Sequence, residues 1–391
     1  MRSWWLVVIA CAACKSKHVQ DTPHAAGSGS AAPVATAPAD AATPPIDAAP
    51  APDPHARICV FTDHGYIYID ATGKQAFDGS FEAEAPFQGG RACVAVNKNE
   101  QLIDETGKVV AKRKGTWCGQ LDYSDGLATN DGKILDGDTK PIATVTYNGK
   151  KPDALAQFSE GLAAARFGAK WGFIDHAGKI VIAPAFGPDE LWKPGSDAML
   201  DPNGDPMEPP DYYDYVGDFH GGLAPARQGD KWGYIDRTGA FAIPPRFGEL
   251  VFKPEFHDGL AKFRDDSGKI GFMDHAGKPV IAADADDATP FAEGLAGVHR
   301  GDHWEYVDRT GKTVIKLPPE MTYGDSFSDG LAMIRKGELG KDGTRFCFID
   351  HTGAIVIPCD YARGGTFHGG VAYLSGVLID RTGKVLWPPA K

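Results

Sequence analysis

Lys170 to Pro184 reads KWGFIDHAGKIVIAP, and Lys231 to Pro245 reads KWGYIDRTGAFAIPP. The same phrase recurs with variations along the chain, and its most constant mark is an aspartate followed three residues later by a glycine. Nine intervals between marks cover the 310 residues from Gly73 to Gly383, a mean period of about 34 residues. A period of this size predicts an array of supersecondary units that bury their apolar faces by packing on their neighbours.

Each Asp-x-x-Gly mark predicts the tip of a hairpin. An aspartate at the first position of a turn accepts a hydrogen bond from the backbone N–H two residues on, and a glycine at the fourth position supplies a positive φ. In a tenth copy Thr139 replaces the glycine after Asp136. The nine complete marks are Asp70/Gly73, Asp104/Gly107, Asp175/Gly178, Asp201/Gly204, Asp236/Gly239, Asp274/Gly277, Asp308/Gly311, Asp350/Gly353 and Asp380/Gly383.

The residues around each tip have strand composition. Aromatic or alternating runs such as Trp171 to Ile174 precede it, and β-branched runs such as Ile180 to Ile182 follow it. A second signature, Phe-x-x-Gly-Leu-Ala, lies upstream and predicts a turn that leads into a further strand. Its copies begin at Phe158, Phe219, Phe256, Phe291 and Phe327. One repeat is therefore predicted to be a three-stranded antiparallel meander, closed by a proline and an aromatic residue.

The fold class predicted is all-β, with little helix, because residues 57–391 show no 3.6-residue period. The array is expected to be either an open twisted stack or a propeller-like toroid, and the uneven spacing and weak terminal copies favour the open form. The glycine of the Trp-Gly pair lies inside a strand, where glycine marks a close approach. We expect a neighbouring Trp or Phe ring to make that approach.

These phrases resemble those of the WG (KWG) β-repeat family of bacteria. The resemblance covers nearly everything from about Ile58 to Pro389 and rests on Phe-x-x-Gly-Leu-Ala, Lys-Trp-Gly-Phe-Ile-Asp, the following Gly-Lys and the Ile-Val-Ile run. It implies a β-rich repeat domain without an established shared catalytic activity, often in exported or surface proteins. Membership of such a family predicts the scaffold and does not identify the ligand.

The N-terminus predicts export and lipidation. Residues 1–14 combine an early arginine with a short apolar run and are expected to form a lipoprotein signal peptide. Val8-Ile9-Ala10-Cys11 resembles a lipobox, with Cys14 as the alternative acylated cysteine. Residues 15–56 are rich in Ala and Pro and are expected to be a disordered linker. Residues 57–391 then form the repeat domain, lipid-anchored to the bacterial cell envelope, at the outer membrane or the surface.

An acidic and aromatic insertion at 187–217 interrupts the repeats. One interpretation is a decayed repeat, because Asp201 and Gly204 keep the hairpin tip. The other is a recognition loop for a glycan or a basic partner. Asp201, Asn203 and Asp205 also allow a calcium site, but the turn explains them without a metal. The candidate binding residues are Trp192, Asp201, Tyr212, Tyr213 and Tyr215.

The net charge and the composition restrict the kinds of binding partner that the sequence predicts. Forty Lys and Arg against 52 Asp and Glu give a net charge of −12, which argues against nucleic acid and leaves the N-terminal lipid as the only expected contact with a membrane. Of the seven cysteines, Cys93 is expected to pair with Cys118 or Cys59. Recurrent histidines are interpreted as polar turn residues rather than as a metal ladder: His176, His275 and His351 within the tips, and His220, His257 and His368 after the phenylalanine.

No familiar catalytic motif is present, so no catalytic, cofactor-binding or metal-binding residue is predicted. The function expected is a non-enzymatic, lipid-tethered envelope protein that presents a β surface to a protein or a cell-wall glycan. The alternative is a carbohydrate-active enzyme that uses the insertion.

Overall fold

The computed structural model describes residues 56–84, 86–112, 118, 121, 123–187, 215–229, 231–248 and 255–388. Every regular element in these ranges is a β-strand, which confirms the all-β prediction. A search of the same residues for a helix with the length and hydrophobicity to span a membrane finds none.

Thirty-one strands form nine antiparallel sheets in the described residues. Sheet 1 holds β1 (Ile58–Thr62) and β2 (Gly65–Ile69); sheet 2 holds β3 (Ala83–Glu84), β4 (Arg91–Val96), β5 (Asn99–Asp104) and β6 (Val109–Lys112); sheet 3 holds β7 (Tyr123–Ser124), β8 (Leu127–Asn130), β9 (Lys133–Leu135) and β10 (Pro141–Thr144). Sheet 4 holds β11 (Ala154–Ser159), β12 (Leu162–Phe167), β13 (Lys170–Asp175) and β14 (Ile180–Phe186).

The remaining sheets follow in chain order. Sheet 5 holds β15 (Ala224–Gln228), β16 (Lys231–Ile235) and β17 (Phe241–Phe247); sheet 6 holds β18 (Ala261–Arg264), β19 (Ile270–Met273) and β20 (Pro279–Ala285). Sheet 7 holds β21 (Asp287–Ala288), β22 (Leu295–Arg300), β23 (His303–Asp308) and β24 (Thr313–Lys316). Sheet 8 holds β25 (Met321–Ser328), β26 (Leu331–Lys336), β27 (Arg345–Ile349) and β28 (Ile355–Tyr361); sheet 9 holds β29 (Val371–Leu374), β30 (Val377–Asp380) and β31 (Val385–Trp387).

Each sheet is a meander in which strands adjacent in sequence are hydrogen-bonded neighbours. The predicted three strands are present in every sheet but the first, and five sheets within the described ranges have a fourth. The extra strand comes first, and in sheets 4 and 8 it contains the signature phenylalanine, Phe158 in β11 and Phe327 in β25. It was missed because segments such as ALAQFS lack β-branched residues. The proline and aromatic residue expected to close the repeat instead lie within the last strand, as Pro184 and Phe186 lie in β14.

The Trp-Gly pair requires glycine because the backbone of the next strand lies very close to it. A Cβ on Gly172 would stand 2.4 Å from the carbonyl oxygen of Ile182 and 2.8 Å from the nitrogen of Pro184. A Cβ on Gly233 would likewise stand 2.4 Å from the carbonyl oxygen of Ile243, and a Cβ on Gly271 would stand 2.7 Å from that of Ile281. The expectation of a neighbouring aromatic ring is therefore wrong. The close approach arises where the register between β13 and β14 shifts after Trp171.

The apolar core is divided among the contacts between consecutive sheets. Trp171 and Phe173 of sheet 4, for example, pack with Phe219 and Ala224 of the next repeat. Equivalent clusters join every consecutive pair from sheets 1 and 2 to sheets 8 and 9. Each sheet is thus buried on both faces by its neighbours.

The last sheet also packs on the first. Val60 and Ile69 of sheet 1 share a buried cluster with Val371 and Leu378 of sheet 9. At the same contact Gly73 lies so close to sheet 9 that a Cβ would stand 2.3 Å from the carbonyl oxygen of Leu386. The sheets therefore close into a propeller-like ring, and the open array that the sequence favoured is wrong. The weak terminal copies thus pack on each other.

The meander places its turns on two opposite faces of the ring. The Phe-x-x-Gly turn and the Asp-x-x-Gly tip are the first and third connections of a four-stranded sheet, so both lie at one end of the strands. We call this side the turn face. The second connection and the links between sheets lie on the loop face, and the chain leaves β14 there at Gly187 and returns at Tyr215.

Prolines occupy the last strand of several sheets, which is an unpaired edge. Pro184 lies in β14, Pro244 and Pro245 in β17, and Pro358 in β28. Since proline has no backbone N–H to donate, it limits further strand pairing at such edges.

Candidate functional site: the joints between sheets

The aspartate of each tip binds its own turn. Asp308 Oδ1 accepts hydrogen bonds from the N–H of Thr310 (2.9 Å), the hydroxyl of Thr310 (2.6 Å) and the N–H of Lys312 (3.1 Å). Gly311 has a φ of 84°. The hydrogen bond from the Thr310 hydroxyl, with those from the two N–H groups, outweighs burial and lowers the pKa of Asp308. The predicted turn role of the aspartates is confirmed.

The Phe-x-x-Gly signature forms a second type of turn. In the copy after Phe158, Glu160 has a φ of 50° and Gly161 a φ of 78°. Positive φ at both central residues defines a type I′ turn, whose twist suits an antiparallel hairpin. The first of the two central positions carries an acid in five sheets. These acids are Asp125, Glu160, Asp258, Glu293 and Asp329.

Each of these acids reaches the equivalent turn of the following sheet. Glu160 accepts the N–H of Gly221 at 2.7 Å and that of Gly222 at 3.0 Å. The same link runs from Asp125 to Gly161, from Asp258 to Gly294, from Glu293 to Gly330 and from Asp329 to Gly370. We call this contact, on the turn face between two consecutive sheets, a joint.

A basic residue or a histidine completes the joints of Asp125, Glu160 and Glu293. In sheets 4 to 9 the residue after the tip aspartate alternates between histidine and arginine: His176, Arg237, His275, Arg309, His351 and Arg381. His176 Nε2 lies 3.2 Å from Asp125 Oδ2, and His351 Nε2 lies 3.3 Å from Glu293 Oε2. The three histidines are polar turn residues, as predicted, and His176, Arg237 and His351 also lie against the acid of the preceding sheet.

The signature phenylalanine supports the histidine of its own sheet. His351 stacks on Phe327 with ring centres 4.2 Å apart, and His275 stacks on Phe256 at 4.1 Å. In sheet 5 the Arg237 guanidinium lies over the Phe219 ring at 5.8 Å. Stacking on a buried ring fixes the side chain in the orientation that the joint needs.

Glu293 shows the electrostatic effect of a complete joint. Burial by itself raises the pKa of this carboxyl, but hydrogen bonds from His351 and from the Gly330 N–H, with the nearby charges of His351 and Arg381, lower it overall. The joint therefore favours an ionised carboxylate, and it is built from charge-assisted hydrogen bonds.

Two disulfides cross-link the described residues. Cys93 pairs with Cys118, one of the two partners predicted for it, and Cys347 pairs with Cys359. Cys347 occupies the position of Gly172 in its sheet, so the second disulfide lies where the two backbones approach closely. Glu100 Oε2 accepts the Cys118 N–H at 2.7 Å. Cys93, Glu100 and Cys118 are the one trio of metal-ligand type found among the described residues, but both sulfurs belong to the disulfide.

Most of the binding residues predicted in the insertion lie outside the described residues: Trp192, Asp201, Tyr212 and Tyr213. The two candidate lipidation sites, Cys11 and Cys14, also lie outside them. Tyr215 is described and packs against the core between sheets 4 and 5. The Arg227 guanidinium lies 5.7 Å from its ring centre, and its carbonyl accepts the Arg227 N–H at 2.9 Å. Tyr215 thus anchors the returning chain on the ring.

Sequence reasoning missed the joint acids. They were treated as a variable position of Phe-x-x-Gly, although four of the five copies quoted there have Asp or Glu immediately before the glycine. That preference is the signal that could have found them, because an acid repeated at one turn position in four copies indicates a shared contact of its side chain.

Matches to known proteins agree with this repeat. The WG-containing repeat is matched at five places, residues 171–187, 200–232, 232–268, 270–304 and 348–374. The chain carries WG repeats. The tips of Asp175, Asp236, Asp274 and Asp350 lie within the matched residues, and sheets 1 to 3 extend the same ring beyond them. No match was found among curated proteins.

Several solved structures are similar in fold. A computationally designed protein, Ika8, has 16% identity and a TM-score of 0.39, over 78% of this chain and 94% of its own. A eukaryotic initiation factor has 14% identity and a TM-score of 0.49, over 78% and 85%. Apo AztD from Citrobacter koseri has 13% identity and a TM-score of 0.39, over 76% and 92%. With all three TM-scores below 0.5, the architecture rests on strand pairing and core contacts alone.

Proposed function

We propose that this WG-repeat protein is a non-enzymatic binding scaffold of the bacterial cell envelope. A lipid on Cys11, or on Cys14, anchors it, and the Ala/Pro-rich residues 15–56 connect the lipid to the ring. The lipobox-like sequence and the apolar run before it support the anchor. Residues 15–56 support the spacing role, since proline-rich chains are extended.

One observation carries the scaffold role. In each of the nine sheets of the described chain, the tip aspartate, the acid most often repeated in the sequence, accepts hydrogen bonds from its own turn. Carboxylates engaged in this way hold the hairpins and are poorly placed to transfer protons to a substrate. A rigid ring with repeated surface features is instead suited to binding.

The expected partner is another protein or a cell-wall glycan. The acidic and aromatic insertion joins the ring on the loop face, beside Tyr215 and Arg227, and its composition suits either kind of partner. This face is therefore the first surface to test by mutation.

Lipidation and binding are tested separately. Cells fed an alkyne analogue of palmitate should label the wild-type protein, and either Cys11→Ser or Cys14→Ser should abolish the label and identify the acylated residue. Label retained in the double variant would contradict the anchor. For binding, photo-crosslinking groups placed on the loop face should capture one specific partner, whereas the same groups at the exposed turn-face position Thr106 of sheet 2 serve as the control.

The enzymatic alternative makes a different prediction. If the insertion were a glycosidase site, a panel of envelope glycans would be cleaved by the wild type, and Asp201→Ala, Asp205→Ala and Asp211→Ala would remove that activity. Cleavage lost in these variants would overturn the non-enzymatic proposal.

A further inference from the structure

The joint between sheets 5 and 6 departs from the pattern of its neighbours. Gly221 occupies the turn position that carries an acid in sheets 3, 4, 6, 7 and 8, so no carboxylate extends from it to the next turn. The equivalent N–H groups bind an acid in the other joints, that of Gly161 at 3.0 Å and that of Gly294 at 2.8 Å. Within the described part of the chain, the N–H of Gly259 donates to no acceptor.

The imidazole part of this joint is nevertheless in place. His275 stacks on Phe256 as His351 stacks on Phe327. Its Nε2 lies 2.8 Å from the point where a Cβ on Gly221 would stand, so it faces the path that an acid side chain would take. A second imidazole, that of His220, adjoins the joint, with its ring centre 5.7 Å from that of His257. His275 is exposed and His220 is half-buried, so solvent reaches both.

We propose that this joint binds a carboxylate supplied by a ligand. The Gly259 N–H and His275 Nε2 form the donor pair that elsewhere holds an internal carboxylate, as the Gly330 N–H and His351 Nε2 hold Glu293. The inference goes beyond the binding role proposed above, because it adds a second site, on the turn face, and names the chemistry of the ligand for that site.

The repeated joints show why a carboxylate fits. In five other joints of the described chain the same backbone geometry accepts a carboxylate oxygen at 2.7 to 3.2 Å from the turn N–H. Such charge-assisted hydrogen bonds are stronger than neutral ones, and in the joint of Glu160 two successive N–H groups bind the carboxylate. The ligand group is therefore the carboxylate of an acidic sugar or of an acidic peptide side chain.

The binding test uses the full-length chain labelled with ¹⁵N-glycine. Acetate, D-glucuronate and N-acetyl-aspartate methylamide are titrated at constant ionic strength, with glucose and N-acetyl-asparagine methylamide as neutral controls. Each carboxylate should shift the Gly259 amide resonance, and neither neutral compound should. A markedly tighter response to glucuronate assigns the site to an acidic glycan, and a tighter response to the aspartate derivative assigns it to a protein.

Three variants separate binding from folding. Gly221→Glu gives the joint its own carboxylate and should abolish the shift. The φ of 61° at Gly221 suits the change, since Glu160 and Glu293 have φ values of 50° and 54° at the same position. The His275 side chain must move to admit the new Cβ, which would otherwise stand 2.8 Å from its Nε2. His275→Ala should weaken the response about tenfold, and His275→Arg, which copies Arg237, should restore it. Glu293→Gly should create a second responsive amide, at Gly330.

The proposal is overturned if no carboxylate moves the Gly259 resonance in the wild type, or if the movement persists in the folded Gly221→Glu protein. Either result leaves the crosslinking test of the scaffold role unaffected, because a partner captured on the loop face does not depend on this joint.

Discussion

Thr139 holds the position relative to Asp136 that glycine holds in the other described tips. Its φ is 64°, and its N–H donates to the Asp136 carbonyl at 2.9 Å, so the turn keeps its shape without glycine. A β-branched residue in the left-handed region is disfavoured by contacts of its Cβ with the backbone. We expect Thr139→Gly to stabilise the protein by about 1 kcal/mol. The backbone strain that the substitution removes should cost more free energy than the burial of the threonine side chain contributes.

Thermal unfolding of Thr139→Gly and of the reverse change Gly311→Thr tests this expectation. Gly311 has a φ of 84°, so Gly311→Thr should lower the melting temperature. A lower melting temperature for Thr139→Gly would mean that packing of the threonine outweighs its backbone cost.

The close approach of β13 and β14 predicts that the Trp-Gly glycine accepts no larger residue. Gly172→Ala would place a methyl group 2.4 Å from the Ile182 carbonyl oxygen, which backbone movement must relieve. We expect a loss of about 1–3 kcal/mol in the free energy of unfolding, measured by denaturant titration. Gly248→Ala is the matched control, since its Cβ would meet only the Lys231 Nζ, at 3.7 Å. Equal losses in both variants would contradict the packing explanation.

The joint between sheets 7 and 8 should weaken in acid. The pKa of Glu293 is lowered in the folded protein, so its ionised form adds stability above its unfolded pKa of about 4.3. That stability is lost as the pH falls through the lower folded-state pKa. Glu293→Gln should therefore lower the melting temperature near pH 7, and the difference from wild type should shrink below about pH 4. A difference that does not vary with pH would show that the carboxylate charge is not what matters.

Closure of the ring depends on contacts between sheets 9 and 1 that no linker reinforces. Leu378 is fully buried at this contact, and Leu378→Ala should cost about 2–5 kcal/mol. Leu331→Ala removes a similarly buried leucine between sheets 8 and 9, which the chain connects directly. In a denaturant titration followed by small-angle scattering, the radius of gyration of Leu378→Ala should rise at a lower denaturant concentration than that of Leu331→Ala. Simultaneous expansion would indicate that closure is not the weakest contact.

The sequence predicted what is local to one repeat. Hairpin tips, the turn role of aspartates such as Asp308, and the two strands on either side of a tip all follow from residues a few positions apart. The family resemblance also follows from such short-range phrases, and the matched repeats confirm it.

Features that depend on distant residues were not predictable in this way. The link from Glu160 to Gly221 spans 61 positions in the sequence. The contact of Gly73 with Leu386 joins the first and last sheets of the described chain. The reason for Gly172 was misjudged because a register shift, which brings the Ile182 carbonyl close, leaves no mark in the local pattern. Each of these is decided by how the sheets and strands pack in space.

Pro184 and Pro358 lie in the last strands of sheets 4 and 8, each of which is an unpaired edge. Proline has no N–H to donate, so the row of donors that an incoming strand would need is interrupted at both positions. These two edges therefore disfavour side-by-side pairing between copies of the protein.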